Sequence, residues 1–171
     1  MMMMRVDSAH VNPKRCFHIR GYAMSIPYET ATAGDRAINE LQKTLQAFGC
    51  QAFGTMTDEE RQVMIVAFKW RNQQVQLEAS WKGYAQALIR KSHWHESRAF
   101  EQAKIAVCSV LRDWVKGQTT AVECGVMSFE TAFMPHMLLK DGRRVIDAAK
   151  AANVLPAPED SNVRQIESKR S

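Results

Sequence analysis

What this sequence lacks narrows it before anything it contains. No apolar run approaches the roughly twenty residues that a membrane-crossing helix needs, so no membrane partner is expected. The four cysteines, Cys16, Cys50, Cys108 and Cys124, are scattered, and no Cys-x-x-Cys pair occurs. That spacing argues against a disulfide framework and reads as small buried hydrophobes in a reducing compartment. Met1-Met2-Met3-Met4-Arg5 is followed by Val6-Asp7-Ser8-Ala9-His10, without the apolar core of a secretory leader. The expected location is cytoplasmic.

The signatures of common chemistries are missing as well. There is no Gly-x-Ser-x-Gly, no cysteine set beside a histidine in a known local pattern, no Walker loop and no Gly-x-Gly-x-x-Gly. Asp58-Glu59-Glu60 lacks the alternation of oxygen ligands that a cation loop requires and reads as a solvated turn. Asp141-Gly142-Arg143-Arg144 is a turn with a basic flank. No catalytic residue and no cofactor is therefore assigned, although a site assembled from distant residues leaves no such trace.

Histidine invites a metal reading that the spacing weakens. His93 and His95 flank Trp94, with Cys108 and His136 further along, but structural zinc usually takes two tight ligand pairs. Cys16-Phe17-His18 is a second half-pair without a partner. Phosphate contact or plain surface exposure suits His93 and His95 better, and no metal is assigned.

What is present is an ordinary globular composition, 46% apolar and 24% charged, in 171 residues. That fits one domain able to bury a real core. Its expected organisation is a flexible arm over 1–20, one domain over 21–155 and a disordered tail over 156–171, rich in Pro, Asp, Ser and Arg.

Along the chain, residues 21–28 alternate as a short edge strand that Pro27 limits. Ile38, Leu41, Leu45 and Phe48 recur at helical spacing over roughly 34–48, with Thr32 or Asp35 as cap and Gly49 as stop. Residues 50–54 suggest a short strand, and the polar stretch 55–62 a turn. Residues 63–70 are rich in strand formers, Arg71-Asn72 is a turn candidate, and 74–81 alternate apolar and polar. That pairing predicts a β-hairpin with one buried face and one wet face.

A helix beginning at Tyr84 is expected to run into Arg90-Lys91-Ser92-His93-Trp94-His95. Ser97 then caps a long helix whose stripe is Phe100, Ala103, Val107, Val110, Leu111, Trp114 and Ala121, ended by Gly125. Ser128 caps a short helix carrying Phe129, Ala132 and Phe133, Asp141-Gly142 turns the chain, and 145–152 form a last helix. The expected fold is α+β: a small antiparallel sheet of three or four strands around a central β-hairpin, packed against one long and several short helices.

Charge is distributed unevenly. The net charge is +5. Residues 61–98 carry Arg61, Lys69, Arg71, Lys82, Arg90, Lys91 and Arg98 against only Glu78 and Glu96. Such a local excess draws polyanions. Lys69, Trp70, Arg71, Lys82, Arg90, Lys91 and Trp94 are the candidate nucleic-acid-binding residues, because cations neutralise phosphates while aromatic faces stack on unpaired bases. Single strands suit this interleaving better than a duplex. Trp81 belongs to the apolar alternation and reads as core. A competing reading is a protein-interaction module, or a self-associating one, that uses the helical half with its adaptable methionines.

Two stretches also carry a resemblance. Residues 30–54 are one; the other spans Leu111-Arg112-Asp113-Trp114-Val115, then Val122 to Phe133, then Leu138 to Arg143. Together they resemble a family of small uncharacterised bacterial, phage and mobile-element proteins without a settled activity. The matching residues are caps, helix stripes and turn glycines, so the resemblance implies origin and brings no catalytic residue. It implies a phage or mobile-element source, and with it DNA metabolism or interference with host systems.

Overall fold

The computed structural model describes residues 25–155; the predicted arm over 1–20 and the tail over 156–171 lie outside the described residues. The elements are α1 (Gly34–Ala47), β1 (Ala52–Asp58), β2 (Val63–Trp70), β3 (Gln73–Ser80), α2 (Trp81–Ser92), α3 (Glu96–Glu123), α4 (Phe129–Phe133) and α5 (Val145–Ala151). A single 3-10 turn, Met134–His136, follows α4. The sheet is antiparallel in the order β1-β2-β3, so the α+β architecture stands.

The β2–β3 hairpin forms where the strand formers meet the alternating run. Val63 pairs with Ser80 at one end and Trp70 with Gln73 at the other, where Arg71 takes φ 52° in the turn. Val66, Phe68, Val75 and Leu77 face the helices and join the main core. The alternation continues into Trp81, which is 1% exposed but is the first residue of α2. The Ser80 hydroxyl accepts the Lys82 N–H there and starts the helix ahead of the expected Tyr84.

Several expectations are corrected. Residues 21–24 of the proposed edge strand lie outside the described residues; 25–28 form no strand, since 27–30 turn and Tyr28 takes φ 68°. Strand β1 runs on to Asp58, because pairing with Val63–Lys69 orders a stretch whose own composition reads as turn. Neither Thr32 nor Asp35 caps α1, whose N-cap is Ala33 with no side-chain bond. Helix α3 starts at Glu96 with His95 as N-cap, and Ser97 hydrogen-bonds the His95 ring instead of a backbone N–H. Val110 is 37% exposed, so it leaves the buried stripe.

Helix α3 is the spine. Its buried positions, Ala99, Ala103, Ala106, Val107, Cys108, Ser109, Leu111, Val115 and Thr119, spread over more than one stripe. They do so because α1, α2 and the sheet all pack against it. Small residues at 99, 103 and 106 let α2 approach closely. At Gly34 an added Cβ would sit 3.4 Å from the Cys108 sulfur, which shows how tightly α1 begins on α3. Gly49, at φ +93°, turns the chain out of α1 as expected.

The direction of α3 positions everything that follows. Lys104 meets Glu59 at the β1–β2 turn (2.8 Å), and Cys108 lies 3.6 Å from the Met64 sulfur at the start of β2. Further on, Trp114 packs edge-on against Phe133, which packs edge-on against Phe68. Helix α3 therefore runs along β2. Its first turns, paired with α2, project past the end of the sheet where β2 begins.

Candidate nucleic-acid interface

The seven candidate residues do not form one patch. Lys69, Trp70 and Arg71 sit at the turn end of the β2–β3 hairpin, and Lys82 at its open end. An eight-residue strand separates these ends by roughly 23 Å. Arg90 and Lys91 close α2 about 12 Å beyond Lys82, next to Trp94 and the start of α3. The structure thus brings Arg90, Lys91 and Trp94 together at the α2–α3 tip and leaves Lys69, Trp70 and Arg71 at the far end of the molecule.

At the hairpin turn the aromatic is occupied. The Trp70 ring stacks on Phe129 (4.1 Å between centroids) and lies 5.6 Å from Phe48, while the Arg71 guanidinium sits 4.3 Å from its centre. Two planar groups this close to one ring clash unless they take opposite faces, so the indole is covered on both. Glu130 lies nearby. Its carboxyl is held below the usual range chiefly by its own backbone N–H, then by the Ser128 hydroxyl, with Arg71 adding least. Trp70 therefore offers no open face, although Arg71 is itself exposed.

The tip is different. Helix α2 contains no carboxylate. Its exposed face carries Lys82, Arg90 and Lys91, the last two where cations also favour the helix dipole. Across the His93 turn (φ 53°) lie Trp94 and Arg98, the guanidinium 4.7 Å above the indole. Arg98 is a member of the site that the candidate set omitted. The signal for it was the four-residue spacing from Trp94 across a helix start. Trp94 packs its other side against the core, so base stacking there requires Arg98 to swing away. Trp81 lies buried beneath Lys104, and Trp114 is half-buried against Phe133 and His136.

Carboxylate pairing divides the cations, and outside 61–98 Lys43, Lys116, Lys140 and Lys150 also stand in no bridge among the described residues. Among the described residues, Arg36, Arg61, Lys104, Arg112, Arg143 and Arg144 each hold a carboxylate within 4.0 Å. Within 61–98 only Arg61 does so; Lys69, Arg71, Lys82, Arg90, Lys91 and Arg98 appear in no such bridge.

The remaining polar motifs resolve individually. Among the described residues no three His, Cys, Asp or Glu side chains gather as a metal site. His93 and His95 are exposed, Cys108 donates to the Lys104 carbonyl, and His136 packs on Trp114; Cys16 and His18 lie outside the described residues. Asp58 accepts the Arg61 N–H, and Glu59 holds Lys104. Cys50 is half-buried, with burial pushing its thiol up to about 11, whereas Cys124 is exposed and corrects the expectation of a buried residue.

One feature left no mark in the sequence. A groove of about 890 Å³ lies between α1, α3 and the 28–33 segment, lined by Arg36, Lys43, Arg112 and Lys116 with Glu40 and Asp113. Most of its charge is satisfied internally: Arg112 bridges Asp113 (2.7 Å) and Glu40 (3.2 Å), and Arg36 also holds Glu40. No family model, curated protein or solved structure matches the chain.

Proposed function

We propose that this chain is a non-enzymatic nucleic-acid-binding accessory protein of a phage or mobile element, which grips phosphates with the α2–α3 tip. The observation that carries the reading is the run of cations without carboxylate partners. From Lys82 to Arg98 there are four cations against the carboxylate of Glu96, and the Glu29 carboxylate, which accepts from the Ser92 hydroxyl at 3.1 Å, joins them at the tip. Unpaired cations at a protruding helix pair are free to exchange counterions for phosphates without first breaking internal bridges. The covered tryptophan faces favour phosphate contact over base stacking, with Trp94 the ring at this tip that a moving Arg98 can uncover.

The test is fluorescence anisotropy of labelled single-stranded and duplex oligonucleotides across a salt series. Three or four engaged phosphates give a log–log slope of about −2 to −3 on a single strand. The triple variant Arg90→Ala, Lys91→Ala, Arg98→Ala is expected to lose at least about ten-fold in affinity and to flatten that slope. Replacing Lys69 and Arg71 is expected to do much less. Unchanged binding in the triple variant removes the tip assignment, and absence of binding at low salt removes the function.

A second reading, a protein-interaction module in the helical half, rests on Val126 and Met134, which are 73% and 50% exposed near α4. It predicts association with a protein partner that salt leaves unchanged, together with no affinity for oligonucleotides.

A further inference from the structure

The two edges of the sheet are finished differently. The outer edge of β3 is met by the chain after the 3-10 turn: Met137 bridges Val75, and the Leu138 N–H donates to the Gln74 carbonyl at 2.8 Å. The outer edge of β1 has no strand partner among the described residues. Ala52–Asp58 also carries none of the devices that usually blunt an edge. It has no lysine, arginine or proline, and its only charge is the terminal Asp58.

Side chains alternate across this strand. Phe53 packs toward the helices, so Ala52, Gly54, Met56 and Asp58 lie on the opposite face. Met56 stands 59% exposed there. Beside it the small residues Ala52, Gly54 and Ala67, with Lys69, Gln74 and Leu138, line a depression of about 380 Å³. A Cβ added at Gly54 would meet nothing within 4 Å. The strand thus carries an exposed apolar knob and a hole two residues apart.

We propose that β1 is a self-association edge, where a second copy of this chain pairs antiparallel, β1 against β1, about a two-fold axis through Thr55. The two three-stranded sheets then join into one. In this register Thr55 faces its counterpart, Met56 of each copy lies opposite Gly54 of the other and enters the depression, and Asp58 lies opposite Ala52. The charges agree with the same register. Lys69 is the cross-strand neighbour of Ala52 on β2, so the partner's Asp58 falls on the same face, two strand spacings or roughly 9.6 Å away. An extended lysine spans that distance over the small Ala52 side chain. Asp58 keeps acceptor capacity for it: Oδ1 takes the Arg61 N–H, and Oδ2 stands 4.0 Å from the Arg61 guanidinium. No like charges are opposed, and each contact occurs twice, as a two-fold interface requires.

Sedimentation velocity of the full chain over a wide concentration range tests this independently of nucleic-acid binding. A reversible dimer is expected. Met56→Lys, an exposed position that the fold does not need, is expected to weaken it at least ten-fold. Lys69→Glu and Asp58→Lys alone are each expected to weaken it several-fold, and the double reversal to restore it. Circular dichroism confirms that each variant remains folded. A monomer at every concentration overturns the proposal, and so does a dimer indifferent to Met56→Lys. A dimer weakened by Met56→Lys but not rescued by the double reversal overturns the register.

Discussion

The Arg98 guanidinium lies 4.7 Å from the centre of the Trp94 ring and closes the outward face of that indole. This contact joins the two ingredients of a single-strand site while holding them in a form that admits no base. Arg98 has two exclusive uses: it covers the ring, or it turns outward to a phosphate and leaves the ring to a base. Replacing Arg98 with Ala is expected to lower duplex affinity more than single-strand affinity and to deepen quenching of tryptophan emission by single strands. Equal losses on both ligands, with unchanged quenching, would show that Trp94 takes no part.

Trp70 is expected to behave as a structural residue. Its ring is held between Phe129 and Arg71, beside Phe48, joining the end of α1, the hairpin turn and α4. Trp70→Ala should destabilise the fold by about 3 kcal/mol, from lost burial and lost aromatic pairing. Urea unfolding measures that loss. Oligonucleotide affinity of the folded variant should stay within two-fold of the parent, about 0.4 kcal/mol; a larger drop would return Trp70 to the binding site.

Tyr28 and Asp113 make stability fall at both ends of the pH scale. The Tyr28 hydroxyl donates to Asp113 at 2.8 Å. The bond to Asp113, then burial, raise the tyrosine above its ordinary 10.0. Arg112, more than the tyrosine, lowers Asp113 below 3.8. A lowered carboxyl contributes stability that is complete above its unfolded pKa and vanishes as pH falls through the folded value. A raised tyrosine contributes stability that is complete below 10 and is lost as pH rises through its folded value. Thermal melts should show Asp113→Asn less sensitive to acidification below pH 4 than the parent, and Tyr28→Phe less sensitive above pH 10. Parallel curves for parent and variants would dismiss the pair as a stability device.

His136 should make the protein sensitive to mild acid. Burial, and then Arg144, lower its pKa below 6.5, and its Nδ1 has no hydrogen-bond partner among the described residues. The unfolded chain therefore takes up the proton first, so stability is complete above about pH 6.5 and declines as pH falls toward the folded value. Carboxylates with ordinary pKa values hardly titrate between pH 7.5 and 5.5, which isolates the effect. His136→Gln should flatten the melting temperature across that interval, and an unchanged slope would count against the histidine.

The sequence by itself determined the local elements, because periodicity and turn chemistry act over a few residues. The strand Val63–Trp70, its alternating partner, the stop at Gly49 and the cap at Ser128 all stand where their neighbours place them. Only the tertiary structure decided the rest. Thr55-Met56-Thr57 became strand because β2 supplied hydrogen-bond partners that no local signal records. Trp70 lost one face to Phe129 of α4 while its neighbour Arg71 covers the other, and the seven candidates separated into two ends because a hairpin and a projecting helix carry their charges in opposite directions. Proximity in sequence measures charge density, but a binding surface depends on which side chains packing leaves uncovered and brings together.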